Sequence, residues 1–293
     1  MCGIAAVING TLEESKKMGH AIRRRGISLS TKQVNELTVT FTHLPIVDYV
    51  EQPCTYGKIT VWLNGFISNW QELCKRYSVI AQNDTEYLAW HLDHDKPKGD
   101  LNGFFAVLYY QDGVKMFTDR YGIKQLYTYK RLGTTYICSE PKGIKAVNDI
   151  KVDFHAINDL EYSLGVMTNN TIWAGVERVE CLPFVKPDKI EIDYYTAQVE
   201  LTMLWNQSVQ RNKYDGVSGV YLSGGIDSGM IAKSLGDYSF SVDYLDETSE
   251  IENIKLNSKG LHHTLICNDW VNEHYPPKTL KALDDFKVGS CYT

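Results

Sequence analysis

Between Leu37 and Ser139 the chain returns repeatedly to short runs of β-branched and aromatic residues: LTVTFTHL, ITVWLNG, FFAVLYYQDG, KMFTD, QLYTYK and TYICS. Runs of that length and composition specify strands rather than helices. In YYQDGVKMF, Asp112 and Gly113 stand between two apolar runs, so neighbouring strands are expected to pair as hairpins. GIAAVI, near the start, suits a buried strand. LEESKKMGHAIRR carries Leu12, Met18 and Ile22 among charges, as an amphipathic helix does, and NDTEYLAWHL opens on an Asn or Asp cap. From about Lys151 to Gln198 the pattern weakens, and short strands and connecting structure around Pro183 and Pro187 are expected. TAQVELTMLWNQSVQRN then reads as a helix, and the order changes to strand, loop, helix in GVSGVYL, SGGIDS and GMIAKSL. YSFSVDYL, SEIENIKLNSKG and HHTLIC continue that alternation, which predicts an α/β tail with a parallel sheet.

A chain of 293 residues with 43% hydrophobic residues can bury two cores. Its net charge of -6 and the lack of a basic run leave no electrostatic footprint for nucleic acid or an anionic membrane, so neither is expected as a partner. No run of about 18 apolar residues and no signal-peptide pattern is present, and a cytoplasmic location is expected. Seven cysteines at wide, irregular spacing argue against a disulfide framework and against a CxxC zinc site.

The cysteine at position 2 stands apart by its place. If Met1 is removed, Cys2 carries a thiol and a free α-amine on one residue. An α-amine titrates at about 7.7–8.0, close enough to working pH to take the thiol proton and return it to a leaving amine. Acyl transfer also needs donors for a developing oxyanion. WLNGFISNW offers the Asn64 carboxamide and the unhindered Gly65 N–H, although an Asn-Gly pair is equally a plain turn.

Eight stretches change that balance. MCGI, RRRG at 23–26, LPIVDYVEQP, LNGFISN, NDTE at 83–86, DLNGFFAVLYY, DRYGIKQLY and SEPKGI occur in the order found in class II glutamine amidotransferases, and the chain resembles their asparagine synthetase branch over roughly residues 2–190. The resemblance implies an Ntn-hydrolase fold, an αββα sandwich, that hydrolyses glutamine to glutamate and ammonia. It puts Cys2 in the nucleophile position, Asn64 and Gly65 in the oxyanion hole, Asp84 on the glutamine α-ammonium and Arg25 beside the pocket. Two positions depart from the pattern. His43 stands where the family clamps the substrate carboxylate with an arginine, and Phe66 stands where an acidic residue usually follows the Asn-Gly pair.

In the tail, VYLSGGIDSG places a glycine-rich loop between a strand and a helix. Gly224 and Gly225 let backbone N–H groups approach phosphate, Ser223 and Ser228 add hydroxyls, and Asp227 is suited to hold Mg²⁺. This stretch resembles the PP-loop of ATP pyrophosphatases, which implies ATP as a cofactor and, by analogy, adenine contacts at Leu222 and Val242. Residues 2–190 are thus expected to form the glutaminase domain and residues 191–293 a truncated, parallel-sheet PP-loop domain. Together they imply transfer of ammonia to an ATP-activated carboxylate, with aspartate as a candidate acceptor. After Asp227 the chain runs only to Thr293, so a second synthetase subunit or a homo-oligomer is expected to complete the site. A stand-alone glutaminase, or a nucleotide-binding pseudoenzyme, is the alternative. Asp243, Asp246 and Glu247 form a metal cluster or a solvated strand end, and Asp284 and Asp285 read as a helix-end pair.

Overall fold

The computed structural model describes residues 2–45, 50–163, 168–184, 191–213, 218–235, 237–243, 250–258 and 260–266. The chain divides into two compact units between Lys186 and Pro187. Ile46–Tyr49 of the LPIVD stretch, Asp246, Glu247, Cys267, Asp284, Asp285 and Cys291 lie outside the described residues, as does the side chain of Asp243.

The first unit opens with β1 (Gly3–Ile8) and α1 (Leu12–Ala21), which starts at a capping box: Thr11 Oγ1 accepts Glu14 N–H, and Glu14 Oε2 accepts Thr11 N–H at 2.8 Å. Next come β2 (Ser28–Val34), β3 (Leu37–His43), β4 (Cys54–Tyr56) and β5 (Ile59–Ile67), then α2 (Trp70–Tyr77) and α3 (Asp84–Asp93). Asn83 caps α3 by accepting Glu86 N–H at 2.8 Å, which leaves Asp84 in the first turn and free for another task. β6 (Gly103–Tyr110) and β7 (Val114–Thr118) form the expected hairpin, with Asp112 and Gly113 both at positive φ. β8 (Tyr127–Arg131), β9 (Thr134–Cys138), α4 (Pro141–Lys145), α5 (Phe154–Ser163) and β10 (Glu177–Arg178) complete the unit.

Two antiparallel sheets result, one in the order β10-β8-β9-β1-β3-β2 and the other β4-β5-β6-β7. Their inner faces meet in one core: Ile4 and Ala6 of β1, Val39 and Phe41 of β3, Trp62 of β5 and Leu108 of β6. The alternate residues face helices. Ala5 and Val7 pack with Met18, Ile22 and Ile144 of the α1 and α4 side, while Val61, Leu63 and Val107 pack with Leu73, Leu88 and Leu92 of α2 and α3. The layering is therefore helix, sheet, sheet, helix, as the resemblance implied. β1 is apolar along its length because it is covered on both faces.

Two elements differ from the sequence reading. β2 reads as polar because six of its seven residues, SLSTKQV, are exposed at the sheet edge, where alternation has no core to answer to. The stretch after Lys151, expected to hold short strands, contains α5, opened by Asp153 accepting His155 N–H at 2.9 Å.

The second unit consists of α6 (Tyr194–Asn212), β11 (Gly219–Tyr221), α7 (Ile226–Leu235), β12 (Tyr238–Asp243), α8 (Ile251–Asn257) and β13 (Leu261–Ile266). Among the described residues the sheet is small, three parallel strands in the order β11-β12-β13. Val220, Leu222, Ala232 and Ile254 form its core. No helix of the described residues is long and apolar enough to cross a membrane.

One irregular segment of the first unit is held by a single side chain. Buried Asp119 accepts N–H groups from Phe105 (3.1 Å), Tyr121 (3.1 Å), Ile123 (3.0 Å) and Lys124 (2.9 Å). The Asp119→Ala change leaves those donors unanswered. It is expected to lower the stability of the first unit by roughly 3 kcal/mol or more, read as a shifted urea midpoint at constant slope.

Candidate active site

The amino-terminal end of β1 lies beside the carboxy-terminal end of β3, with Gly3 opposite Thr42. That register carries Cys2 to the backbone of Leu44, which follows His43. Leu44 N–H donates to Cys2 Sγ at 3.4 Å, and the thiol reaches Leu44 O at 3.7 Å. The Cys2 carbonyl is gripped from the other side by Arg25 Nε–H at 2.8 Å, and Arg25 also pairs with Glu140 at 2.6 Å. Glu140 in turn carries Lys142 as a second cation. Arg25 thus positions the residue that bears the thiol. Gly26 follows it because the backbone of His43 passes so close that a Cβ would come within 2.6 Å of His43 O.

Asn64 shares the inward face of β5 with Trp62 and is 1% exposed. Its Nδ2 lies 3.5 Å from Ser139 Oγ, and its Oδ1 is buried with no partner. The same Ser139 hydroxyl accepts Ile4 N–H at 2.9 Å, so β1 and β5 are joined through it. Gly65 is exposed and has a φ of +137°; a Cβ there would stand 2.1 Å from Phe104 O. Only glycine can turn the backbone at this point, and the turn leaves Asn64 inward and Gly65 outward on consecutive residues.

Asp84 accepts Ile67 N–H at 3.1 Å and Thr85 Oγ1–H at 3.3 Å, which places it two residues past Gly65 along β5. Desolvation pushes its carboxyl above the ordinary aspartate value, and its hydrogen bonds offset only part of that. No cation forms an ion pair with it among the described residues. His43 is 7% exposed and tilted against Phe41 at 5.8 Å, and burial lowers its pKa from 6.5. At neutral pH it is an uncharged imidazole, not a substitute for a guanidinium fork. Phe66 packs on Phe104 at 6.1 Å, and Lys124 lies over the same Phe104 ring at 5.4 Å. Burial lowers the Lys124 pKa, with Arg25 adding to the effect while Asp119 and Cys2 oppose it.

Cys2, Arg25 and the His43–Leu44 backbone thus meet where β1 and β3 end, Asn64 is linked to β1 through Ser139, and Asp84 caps the Ile67 N–H at the end of β5, two residues past Gly65. Lys124, Ser139 and Glu140 belong to the same neighbourhood and were not singled out from sequence. Their signal lay in DRYGIKQLY and SEPKGI, where polar residues follow apolar strands.

In the second unit, Ser223 and Ser228 hydroxyls meet at 2.9 Å, Ser223 N–H donates to Ser228 Oγ at 3.1 Å, and Gly225 N–H donates to Ser223 Oγ at 3.3 Å. Gly224 N–H donates to the Glu250 carboxylate at 3.0 Å, so this loop already receives an anion. Asp227 is exposed in the first turn of α7. Val242 is 53% exposed, whereas the Leu222 side chain is in the core, its N–H donates to Phe240 O, and its carbonyl accepts the Ser241 hydroxyl.

An αββα unit with a cysteine at its second residue is the arrangement of a class II glutamine amidotransferase. Residues 1–195, well over half of the chain, match the glutamine amidotransferase domain family, and the chain belongs to that family. It is 25% identical over 297 residues to a Methanocaldococcus jannaschii protein named "Putative asparagine synthetase (glutamine-hydrolyzing) 1", an alignment that covers 89% of this chain and 53% of that one. The chain thus spans about half the length of the curated relative it matches. Among solved structures it is similar to the glutamine phosphoribosylpyrophosphate amidotransferase from B. subtilis complexed with ADP and GMP (12% identity, 90% of this chain, 81% of that chain, TM-score 0.44). A structure described as the allosteric regulatory enzyme of purine biosynthesis gives 12% identity, 90% and 80% coverage, and a TM-score of 0.44.

The Asp84 carboxyl carries a stability signature. Its folded pKa lies above its unfolded value, so the folded state binds the proton more tightly, and stability is lost as pH rises from about 3.8 through the folded value. Asp84→Asn is expected to raise the thermal midpoint at pH 7 and to leave it nearly unchanged near about pH 3, where both states are protonated.

Proposed function

We propose that the chain hydrolyses glutamine at Cys2 and supplies the released ammonia to an activated carboxylate. The observation that carries the first half is the seating of Cys2, with Leu44 N–H on its sulfur and Arg25 on its carbonyl, within the region that matches the family. Both contacts hold a residue that ordinary fraying would leave loose.

With Met1 removed, the Cys2 α-amine takes the thiol proton and the thiolate adds to the glutamine side-chain carbonyl. The C–O π electrons move onto oxygen, where Asn64 Nδ2 and Gly65 N–H receive them. Collapse expels the amide nitrogen with the proton held on the α-amine, giving ammonia and a Cys2 thioester. Water, deprotonated by the same amine, then releases glutamate and regenerates the thiol. The Asp84 carboxylate receives the substrate α-ammonium, which relieves its desolvation on binding. Neutral His43 contributes no charge to the substrate carboxylate, so tight glutamine binding is not expected.

For the second half, the support is the SGGxDS loop and the name of the archaeal relative. ATP, when bound, would activate the acceptor carboxylate as an acyl-adenylate. Its phosphates would be held by Ser223, Gly224, Gly225 and Ser228, its Mg²⁺ by Asp227, and its adenine near Leu222 and Val242. The donor set fits an anion, as Glu250 on Gly224 N–H shows. Among the described residues no cluster of three His, Cys, Asp or Glu offers a metal site, so Asp227 and the phosphates would share the ion. Aspartate is the proposed acceptor, and a second synthetase subunit or another copy of the chain is the proposed partner.

Active protein is expected to have the intact mass of a chain beginning at Cys2, and Cys2→Ala is expected to abolish glutaminase activity. Retention of Met1 in active protein, or full activity without the thiol, overturns the mechanism. Asp227→Ala is expected to abolish ATP–pyrophosphate exchange while leaving glutamine hydrolysis within about twofold. Exchange that persists in Asp227→Ala removes the proposed nucleotide site, and an absence of exchange in the parent protein and its co-purified complex leaves a glutaminase.

A further inference from the structure

Three polar groups of the first unit meet at one hydroxyl. Ile4 N–H donates to Ser139 Oγ at 2.9 Å, Ser139 N–H donates to Ile4 O at 2.8 Å, and the Asn64 carboxamide lies 3.5 Å away through Nδ2. Ala5 pairs with Cys138, so an unbroken ladder would set Ile4 N–H on the Ser139 carbonyl; the chain instead turns toward α4, and the hydroxyl takes the place of that carbonyl. Ser139 is 5% exposed and Asn64 1%, so bulk water completes neither group.

A hydroxyl that accepts from Ile4 still has a proton to give. With Nδ2 toward Ser139, that proton finds no acceptor on Asn64, and Oδ1 is orphaned. Rotating the carboxamide by half a turn exchanges its two ends without moving its outline, and the hydrogen-bond inventory decides between them. In the rotated form Oδ1 receives the Ser139 proton. Nδ2 then occupies the orphan's place as a buried donor with no protein partner, and such a donor is what a developing oxyanion requires.

We infer that Ser139 is a positioning residue: its hydroxyl holds the Asn64 carboxamide with Nδ2 turned toward the reacting carbonyl, and ties that amide to the strand of the nucleophile two residues from Cys2. The inference rests on the reading of Asn64 as an oxyanion donor. Glu140 reinforces it from the same turn, because it holds Arg25, and Arg25 holds the Cys2 carbonyl. Nucleophile and oxyanion amide thus share one anchor at Ser139–Glu140.

The test is a double-mutant cycle on glutamine hydrolysis by the full chain, with Cys2 alkylation by iodoacetamide as a second readout because that displacement forms no carbonyl oxyanion. Ser139→Ala is expected to lower kcat about 10- to 100-fold with KM within about threefold, to change kcat less than about twofold in an Asn64→Ala background, and to leave the alkylation rate within about twofold. Losses that multiply in the double variant, alkylation that falls in step with kcat, or an unchanged kcat in Ser139→Ala each overturn the inference. Should Ser139→Ala fail to fold, Ser139→Cys keeps the volume with a weak hydrogen-bonding group and is read by the same criteria. Asn64→Ala with undiminished kcat would remove the oxyanion reading itself and the inference with it, and that outcome involves no change at Ser139.

Discussion

A carboxamide on the inner face of a two-sheet sandwich must have its polar atoms answered, because an unpaired buried amide costs on the order of a kilocalorie or more per group. Asn64 stands in that position, one alternation beyond Trp62 and surrounded by the inter-sheet core. Whatever answers it fixes β5 against its neighbours. The groups within reach belong to Ser139, at the end of β9, and through Ser139 to Ile4 of β1. The central strand of one sheet is therefore referenced to the other by a polar contact, in a core whose apolar contacts alone would tolerate sliding. Cys2, two residues before Ile4, inherits that registration.

Much of this was legible in the amino-acid order, and the legible parts share a cause. Where a residue type answers a local demand, the pattern announced it: the doubly covered β1, the Asp112-Gly113 hairpin, the Asn83 cap of α3, and the switch to strand-loop-helix order before Gly219. What was illegible answered distant demands or none. β2 lies at an edge and has no face to bury, so SLSTKQV shows no alternation. α5 was hidden by a stretch of weak periodicity, although Asp153 marks its start. Ser139 was hidden differently, because a serine after a strand says nothing about a carboxamide 75 residues away in sequence.

The family resemblance named candidate site residues, and the structure shows contacts among them that the resemblance did not imply. Arg25 was expected beside the substrate, and the structure shows its guanidinium committed to the Cys2 carbonyl and to Glu140. His43 and Phe66, the two departures from the family pattern, each pack on a phenylalanine, His43 on Phe41 and Phe66 on Phe104. The charge near the thiol comes instead from Arg25 and the half-buried Lys124. Burial raises the Asp84 pKa and lowers that of His43, so desolvation acts on both the acid and the imidazole of this region.

Asp119 shows how the same unit separates order from sequence. Four backbone N–H groups converge on one interior carboxylate, so the path from Asp119 to Lys124 is held through its main chain by the Asp119 side chain. The outward side chains on that path, Tyr121 at 72% exposure and Ile123 at 59%, make none of those bonds, and Tyr121 adds an edge-on contact to Phe184 at 6.1 Å. The carboxylate thereby fixes where the chain delivers Lys124, whose charge acts on Cys2 and Arg25, without calling on the identity of the exposed Ile123 side chain.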